Sequence, residues 1–531
     1  MGTRTVLQSF AVLFGLHLAL ANVELLAPEV EIANGTLRGG RCASASLKYF
    51  LSIPYAMPPV GDLRFTPPQP YNTSFPGIRD ATTPAPSCPQ LGLFFVAYHA
   101  GQSEDCLFID VWTPADATKD SKLPVKVWLH GGGNSAGGVS FPLYDGCNSD
   151  TAAVHISLNY RLGALGFLVA ESAGLLGNYG IQDQILALRW IQDNIQAFGG
   201  DKDRVVVFGQ SAGGLDVHIL ATLEEAPTLM KSAIMESGAG QTVQNLSSVA
   251  AFSAEFAALL PCNATDVACL RSVTPEHLNE TLLSMFATED VGFVFEFNGF
   301  GPAIDGNLIP AHPTEAGVKV PSLMGSTAHE GRLLLYVSYG NATASLDQTD
   351  YDETLVSNFG SQAPVVNATY PISRYSNTEL SVFYAIDDVY TSSAIHCAAF
   401  SALTSSANTA PVYSYVFNHT VTCPWVPFIA PDAVELLGPA HTSELAFVFG
   451  QVTQLPFGAG SCNLSDGEIA LSAYIQAAWT SMAEVGNPGQ DWAEFTQSST
   501  LGVVLNDIPV PGTIDYSACS FWEELKGQSL S

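Results

Sequence analysis

The residues with the clearest chemical potential lie in Asp203-Arg204-Val205-Val206-Val207-Phe208-Gly209-Gln210-Ser211-Ala212-Gly213-Gly214. A β-branched run enters Gly-x-Ser-x-Gly and leaves into a helix-capable stretch from Leu215. A tight strand-to-helix turn there would hold Ser211 in a strained conformation. The glycines on either side have no Cβ and so let neighbouring chain approach closely. The helix N-terminus behind the serine favours developing negative charge. That chemistry suits a nucleophile attacking an acyl carbonyl. Upstream, His130-Gly131-Gly132-Gly133 follows an apolar run ending at Leu129. Taken alone it reads equally well as a flexible loop. Beside such a turn it becomes a source of backbone N–H groups for an oxyanion, with Gly132, Gly133 and Ala212 as the expected donors.

These parts need a frame. Short apolar runs at Val125–Leu129, Val154–Leu158, Val205–Phe208, Ala233–Met235, Leu323–Met324 and Val412–Val416 alternate with helical patterns. That alternation implies an α/β fold with a large, mostly parallel sheet covered by helices. Leu188, Ile191, Ile195 and Phe198 mark one apolar helix face, which Gly199-Gly200 should end. The turn-rich region before Val125, with Leu47–Ile53, is expected to form an antiparallel edge. No repeat or linker divides the chain, so residues 22–531 are expected to form one domain.

Composition narrows the partners. The chain has 531 residues, 50 acidic against 19 basic, and a formal charge of −31. Phosphate binding needs clustered Lys and Arg, so nucleic acid and anionic membrane surfaces are excluded as expected partners. Arg4, the apolar stretch Phe10 to Leu20 and the small-x-small Ala19-Leu20-Ala21 form a signal peptide pattern, with cleavage expected after Ala21. No later apolar run has spanning length. Ten cysteines without CxxC metal spacing suit an oxidising compartment. Nine glycosylation triplets begin at Asn34, Asn72, Asn245, Asn263, Asn279, Asn341, Asn367, Asn418 and Asn463. A secreted glycoprotein is the expectation.

With the nucleophile segment, several stretches resemble the type-B carboxylesterase and cholinesterase family of α/β-hydrolases. They include Phe198 to Gly213, Glu104-Asp105-Cys106-Leu107-Phe108 to Pro114, Ile53-Pro54-Tyr55-Ala56 to Phe65, Asn159-Tyr160-Arg161 to Leu168, His441 to Gly450, and Cys519 to Trp522. The resemblance spans nearly the whole mature chain and implies a Ser, acid, His order. The acid then falls on Glu330, ahead of Asp305 and Glu444, and the base on His441, ahead of His419. His441 would take the Ser211 proton and return it to the leaving alcohol, with Glu330 fixing the imidazole. No metal or organic cofactor is needed. The resemblance also implies a structural Glu104–Arg161 ion pair and disulfides Cys88–Cys106, Cys262–Cys269 and Cys397–Cys519. Cys423 with Cys462 is a plausible fourth pair, which leaves Cys42 and Cys147 unassigned.

Departures from the family bear on substrate. Choline-hydrolysing relatives carry a tryptophan in the loop closed by the first disulfide, and the segment between Cys88 and Cys106 has none. Gln210 stands where many relatives have glutamate, and Asn134 replaces a commoner aromatic or small residue. A cationic alcohol is disfavoured. Phe94 and Phe95, with Phe293, Phe295, Phe297 and Phe300, would line an apolar entrance or pack as core. The expected function is an esterase for neutral, fairly apolar small-molecule or lipid esters. An interfacial lipase or sterol esterase is the alternative, and a non-catalytic adhesion or binding protein the remote one.

Overall fold

The computed structural model describes residues 27–529, except 45, 91–100, 264, 287–298, 376–378 and 456–459. The expected signal segment, Phe94, Phe95, Phe293, Phe295 and Phe297 therefore lie outside the described residues. Among the described residues, one sheet of 11 strands organises the chain. We label its strands β1 (Gly40–Arg41), β2 (Leu47–Pro54), β3 (Phe108–Pro114), β4 (Leu123–Leu129), β5 (Val154–Leu158), β6 (Gly200–Gln210), β7 (Ser232–Glu236), β8 (Ser322–Thr327), β9 (Val412–Phe417), β10 (Leu501–Leu505) and β11 (Val510–Thr513). Their order across the sheet is β11-β10-β9-β8-β7-β6-β4-β5-β3-β2-β1. The stretch from β10 to β5 is parallel throughout. Antiparallel pairs close both edges, β1–β2–β3–β5 at one and β10–β11 at the other.

The central strands are buried over most of their length, which is why they read as unbroken apolar runs rather than alternating ones. Helix α1 (Tyr179–Asn194) carries the Leu188/Ile191 face. It tightens into a 3-10 turn at Ile195–Phe198 and stops at Gly199, whose φ of 91° is left-handed. Helix α2 (Ala212–Thr222) follows the serine directly. It starts three residues before Leu215 because Gly213 and Gly214 are helical, packed where a side chain would not fit. A Cβ on Gly213 would lie 2.2 Å from the Leu129 carbonyl oxygen. These glycines serve close packing rather than turning.

The ion pairing implied at Glu104 and Arg161 needs correction. Glu104 pairs with Arg64, and Arg161 pairs with Asp183 at 2.7 Å. Both Asp183 oxygens and the Arg161 fork are satisfied within one bidentate contact at the start of α1, so Arg161 has no need of Glu104. Five disulfides link Cys42–Cys147, Cys88–Cys106, Cys262–Cys269, Cys397–Cys519 and Cys423–Cys462. Of the glycosylation triplets, Asn72, Asn245, Asn263, Asn418 and Asn463 are exposed, while Asn34, Asn279 and Asn367 are half-buried. The side chain of Asn341 lies outside the described set.

Candidate active site

Parallel strands deliver their following loops to one end of the sheet. Those after β6, β8 and β9 carry Ser211, Glu330 and His441, and those after β4 and β7 frame them with Gly133 and Asn134 and with the stretch from Ser237 to Gln244. After β6, Ser211 sits at φ 57°, ψ −127°, a region that side chains rarely occupy. Its backbone is held there because its N–H donates to the Glu236 carbonyl oxygen at 2.9 Å. After β8, Glu330 opens helix α3 (Glu330–Tyr339). The loop bearing His441 is stitched to it: the His329 N–H donates to the Pro439 carbonyl at 3.1 Å, and His329 bridges Ala440 in parallel.

His441 Nδ1–H donates to Glu330 Oε2 at 2.5 Å, with both residues buried. The other oxygen, Oε1, accepts from the Thr327 N–H at 2.7 Å, so the carboxylate is fixed on both sides. The Gln210 amide nitrogen lies 3.1 Å from Nε2 and 3.3 Å from Nδ1 of His441. Near-equal distances to the two ring nitrogens place it over the ring face, since an in-plane approach would collide with Cε1. The lone pair of Nε2 is therefore left for another donor. Among the described residues the Ser211 hydroxyl makes no hydrogen bond, and its chain neighbour Gln210 is what touches the imidazole. A serine hydroxyl without a partner, one residue from the side chain that touches an oriented histidine, is free to be engaged when substrate arrives.

Ser211, Ala212, Gly133 and Asn134 line a cleft of about 180 Å³ together with Leu215, Phe300, Pro302, Tyr390 and Ile395. Phe300 packs edge-on against Phe252 and Phe256, so it is both wall and core. Gly132 and Gly133 take left-handed φ values of 110° and 62°. Among the described residues their N–H groups and that of Ala212 have no hydrogen-bond acceptor, which leaves them available to an oxyanion.

None of the rivals bonds the His441 ring or the Ser211 hydroxyl among the described residues. Asp305 accepts from Asn178 and from the Asn307 and Ile309 N–H groups, holding a turn. His419 is buried between Glu468 at 3.1 Å and Asp507 at 2.5 Å. Glu444 lies fully buried, and neither oxygen has a hydrogen-bond partner among the described residues. Burial, then the neighbouring Glu236 and Glu330, push its pKa well above the usual range. Glu236 is lifted to about 8 by burial, against the pull of the Trp479 Nε1–H at 2.6 Å.

Sequence reasoning missed Asp387 on helix α4 (Ser381–Tyr390). Its carboxylate accepts from the Gly331 N–H and from Thr391 Oγ1, which in turn accepts from the Glu330 N–H. It also holds Arg332 and His329, both at 3.0 Å. An aspartate in an amphipathic helix carries no local signal of this role.

Among the described residues no cluster of His, Cys, Asp and Glu is arranged to hold a metal ion. The arrangement suits acyl transfer by a serine.

Comparison with known proteins agrees. A model of the carboxylesterase family matches residues 26–522. The chain is 33% identical to para-nitrobenzyl esterase of Bacillus subtilis (strain 168), covering 86% of this chain and 90% of that protein. It is 31% identical to human (Homo sapiens) cocaine esterase, covering 93% and 90%, and 32% identical to acetylcholinesterase of Bungarus fasciatus, covering 95% and 87%. Among solved structures, a thermophilic PNB esterase aligns with a TM-score of 0.78 at 30% identity, covering 94% of this chain and all of that one.

Proposed function

The chain belongs to the carboxylesterase family of α/β-hydrolases and is a carboxylic ester hydrolase; from that premise we propose that it is a secreted enzyme cleaving neutral, fairly apolar esters through an acyl-enzyme on Ser211. The observation that carries this reading is the oriented imidazole. With Nδ1–H committed to Glu330, His441 keeps Nε2 to accept the Ser211 proton. Attack on the acyl carbonyl gives a tetrahedral oxyanion facing the Gly132, Gly133 and Ala212 amides. His441 then returns the proton to the departing alcohol, and water reverses the sequence to release the acid. Glu330, bonded to Nδ1, stabilises the imidazolium that forms at each step.

The cleft supports a neutral substrate. Leu215, Phe300, Pro302, Tyr390 and Ile395 form its apolar walls beside the uncharged Gln241, Thr242 and Gln244, and among the described residues none lining it carries a charge. Five disulfides support an oxidising destination. Among the described residues no helix is long and apolar enough to cross a membrane. The test uses a fluorophosphonate probe and p-nitrophenyl esters of increasing acyl length. Labelling and turnover should vanish in Ser211→Ala. Rates should show no jump as a short-chain ester passes its solubility limit. A large jump there would make the enzyme an interfacial lipase, and labelling that survives Ser211→Ala would remove the nucleophile from the proposal.

A further inference from the structure

The glycine run is held at both ends. At its start, the Tyr160 hydroxyl donates to the His130 carbonyl at 2.7 Å. At its end, Asn134 takes a left-handed φ of 54°, unusual for a side-chain-bearing residue, and turns the chain so that the Ser135 and Ala136 N–H groups both reach the Gly132 carbonyl. Asn134 is buried, and its Nδ2–H donates to Asp216 Oδ1 at 3.0 Å. Asp216 lies on α2, four residues beyond Ala212 and fully buried. Its second oxygen accepts from Gln184 Nε2 at 2.6 Å, on α1. One carboxyl thus joins the glycine turn, the helix behind the nucleophile and a supporting helix.

Such a link is costly. A carboxyl without a cationic partner resists burial. Burial lifts Asp216 to about 7, with the Gln184 and Asn134 amides pulling the other way. Asn134 Oδ1 and Gln184 Oε1 are left without partners among the described residues, so each amide engages the carboxyl through nitrogen alone. The Gly163 N–H also donates to the Asn134 carbonyl at 2.8 Å, but only the side-chain contact ties this left-handed residue to the helix behind the nucleophile.

We propose that Asp216 is a positioning residue for ester hydrolysis: through Asn134 it clamps the glycine run against the helix behind Ser211, so that the Gly132, Gly133 and Ala212 amides converge on one oxygen. The proposal rests on reading those amides as the oxyanion site. It deepens that reading by naming what holds them together, and it commits to an effect on the transition state rather than on stability alone.

The test compares the full-length wild type with Asp216→Ala, Asn134→Asp, and the exchange Asn134→Asp with Asp216→Asn. Turnover of p-nitrophenyl butyrate is measured beside affinity for a trifluoromethyl ketone, whose hydroxyl-like adduct oxygen needs the same amides. Asp216→Ala should lower kcat by about ten-fold or more with KM within about two-fold, and weaken the ketone by the same factor. Asn134→Asp sets two carboxyls face to face and should lose more. The exchange restores one donor to one acceptor and should recover activity to within about three-fold of wild type. If Asp216→Ala unfolds, the comparison of Asn134→Asp with the exchange decides alone. Unchanged kcat and ketone affinity in Asp216→Ala, or an exchange no better than Asn134→Asp, would overturn the clamp. If wild type itself binds the trifluoromethyl ketone no better than the plain methyl ketone, the oxyanion reading fails, and the clamp with it.

Discussion

Replacing Ser211 by glycine should make the protein more stable than replacing it by alanine, which inverts the usual order. At an ordinary position glycine is the worse choice by about 0.5–1 kcal/mol, because the unfolded chain gains freedom. Ser211 is not ordinary: φ 57° with ψ −127° crowds any Cβ against its own backbone. A side-chain-bearing residue in such a region is strained by about 1–3 kcal/mol. Alanine removes the hydroxyl and keeps the strain, whereas glycine removes both. Subtracting the entropic penalty leaves glycine ahead by about 1 kcal/mol. The hydroxyl makes no hydrogen bond among the described residues, so its loss is the same small term in both variants. Unfolding entropy of about 2 cal/mol/K per residue spread over some 500 residues converts this into only about 1 °C in Tm. Paired calorimetric scans at one rate, with disulfides intact, resolve such a difference, and guanidinium unfolding provides a second measure. A glycine variant melting at or below the alanine variant would refute the claim that the turn stores strain.

Two further predictions concern pH. His419 is raised above its ordinary value: burial opposes this, but the bonds to Glu468 and Asp507 prevail, while Glu468 is held down at about 2. Since the histidine's folded pKa is raised, its contribution is full below about 6.5 and is lost as pH rises through the folded value. That of Glu468 is full above about 4.5 and fades toward 2. His419→Gln should therefore destabilise most near pH 5.5 and clearly less at pH 9, as read by urea unfolding at both; equal losses would argue against an ion pair. Glu444 has the opposite sign. Its carboxyl is neutral in the fold when the unfolded chain has already ionised, so wild-type stability falls as pH rises above about 4.5. Glu444→Gln mimics the neutral acid, and its stability relative to wild type should grow by about 1.4 kcal/mol per pH unit over that range, until the folded carboxyl ionises. A difference independent of pH would show the carboxyl to be ionised in the fold.

What could be read from the sequence depended on how local its physical cause was. The nucleophile turn is legible because strand, serine and both close-packed glycines fall within a dozen residues. The parallel sheet is legible because each central strand is buried on both faces and so runs apolar without interruption. Glu330 and His441 are 111 positions apart, and their meeting depends on β8 and β9 lying side by side; only resemblance to a family pointed to them. Arg161 was matched with the wrong carboxylate for the same reason. Asp183, 22 positions on, reads as one more polar residue in a helix until the turn before α1 brings it under the guanidinium. Cys42 meets Cys147 because the β1–β2 hairpin packs across the loop beyond β4, around Trp112, and pairing of that kind has no signature in spacing.

The strain and the buried charge are not scattered. Of nine side-chain-bearing residues with positive φ among those described, Asn134, Ser211, Ser237 and Thr442 lie in four of the segments that follow strands at the site's end of the sheet, after β4, β6, β7 and β9. Glu236 and Glu444, two acids burdened by burial, sit beside two of them. A fold free to minimise energy would relax these positions first, because each is worth about 1–3 kcal/mol. Their concentration at one end of one sheet means that local stability and activity should trade against each other there. Substitutions that calm the backbone at 211 or 237, whose hydroxyls make no hydrogen bond among the described residues, should raise Tm while lowering kcat, whereas equally calming changes at Lys122 or Gln454, outside those segments, should raise Tm alone. A survey finding the same cost to turnover at both sets would mean that the strain belongs to the fold at large and not to the chemistry.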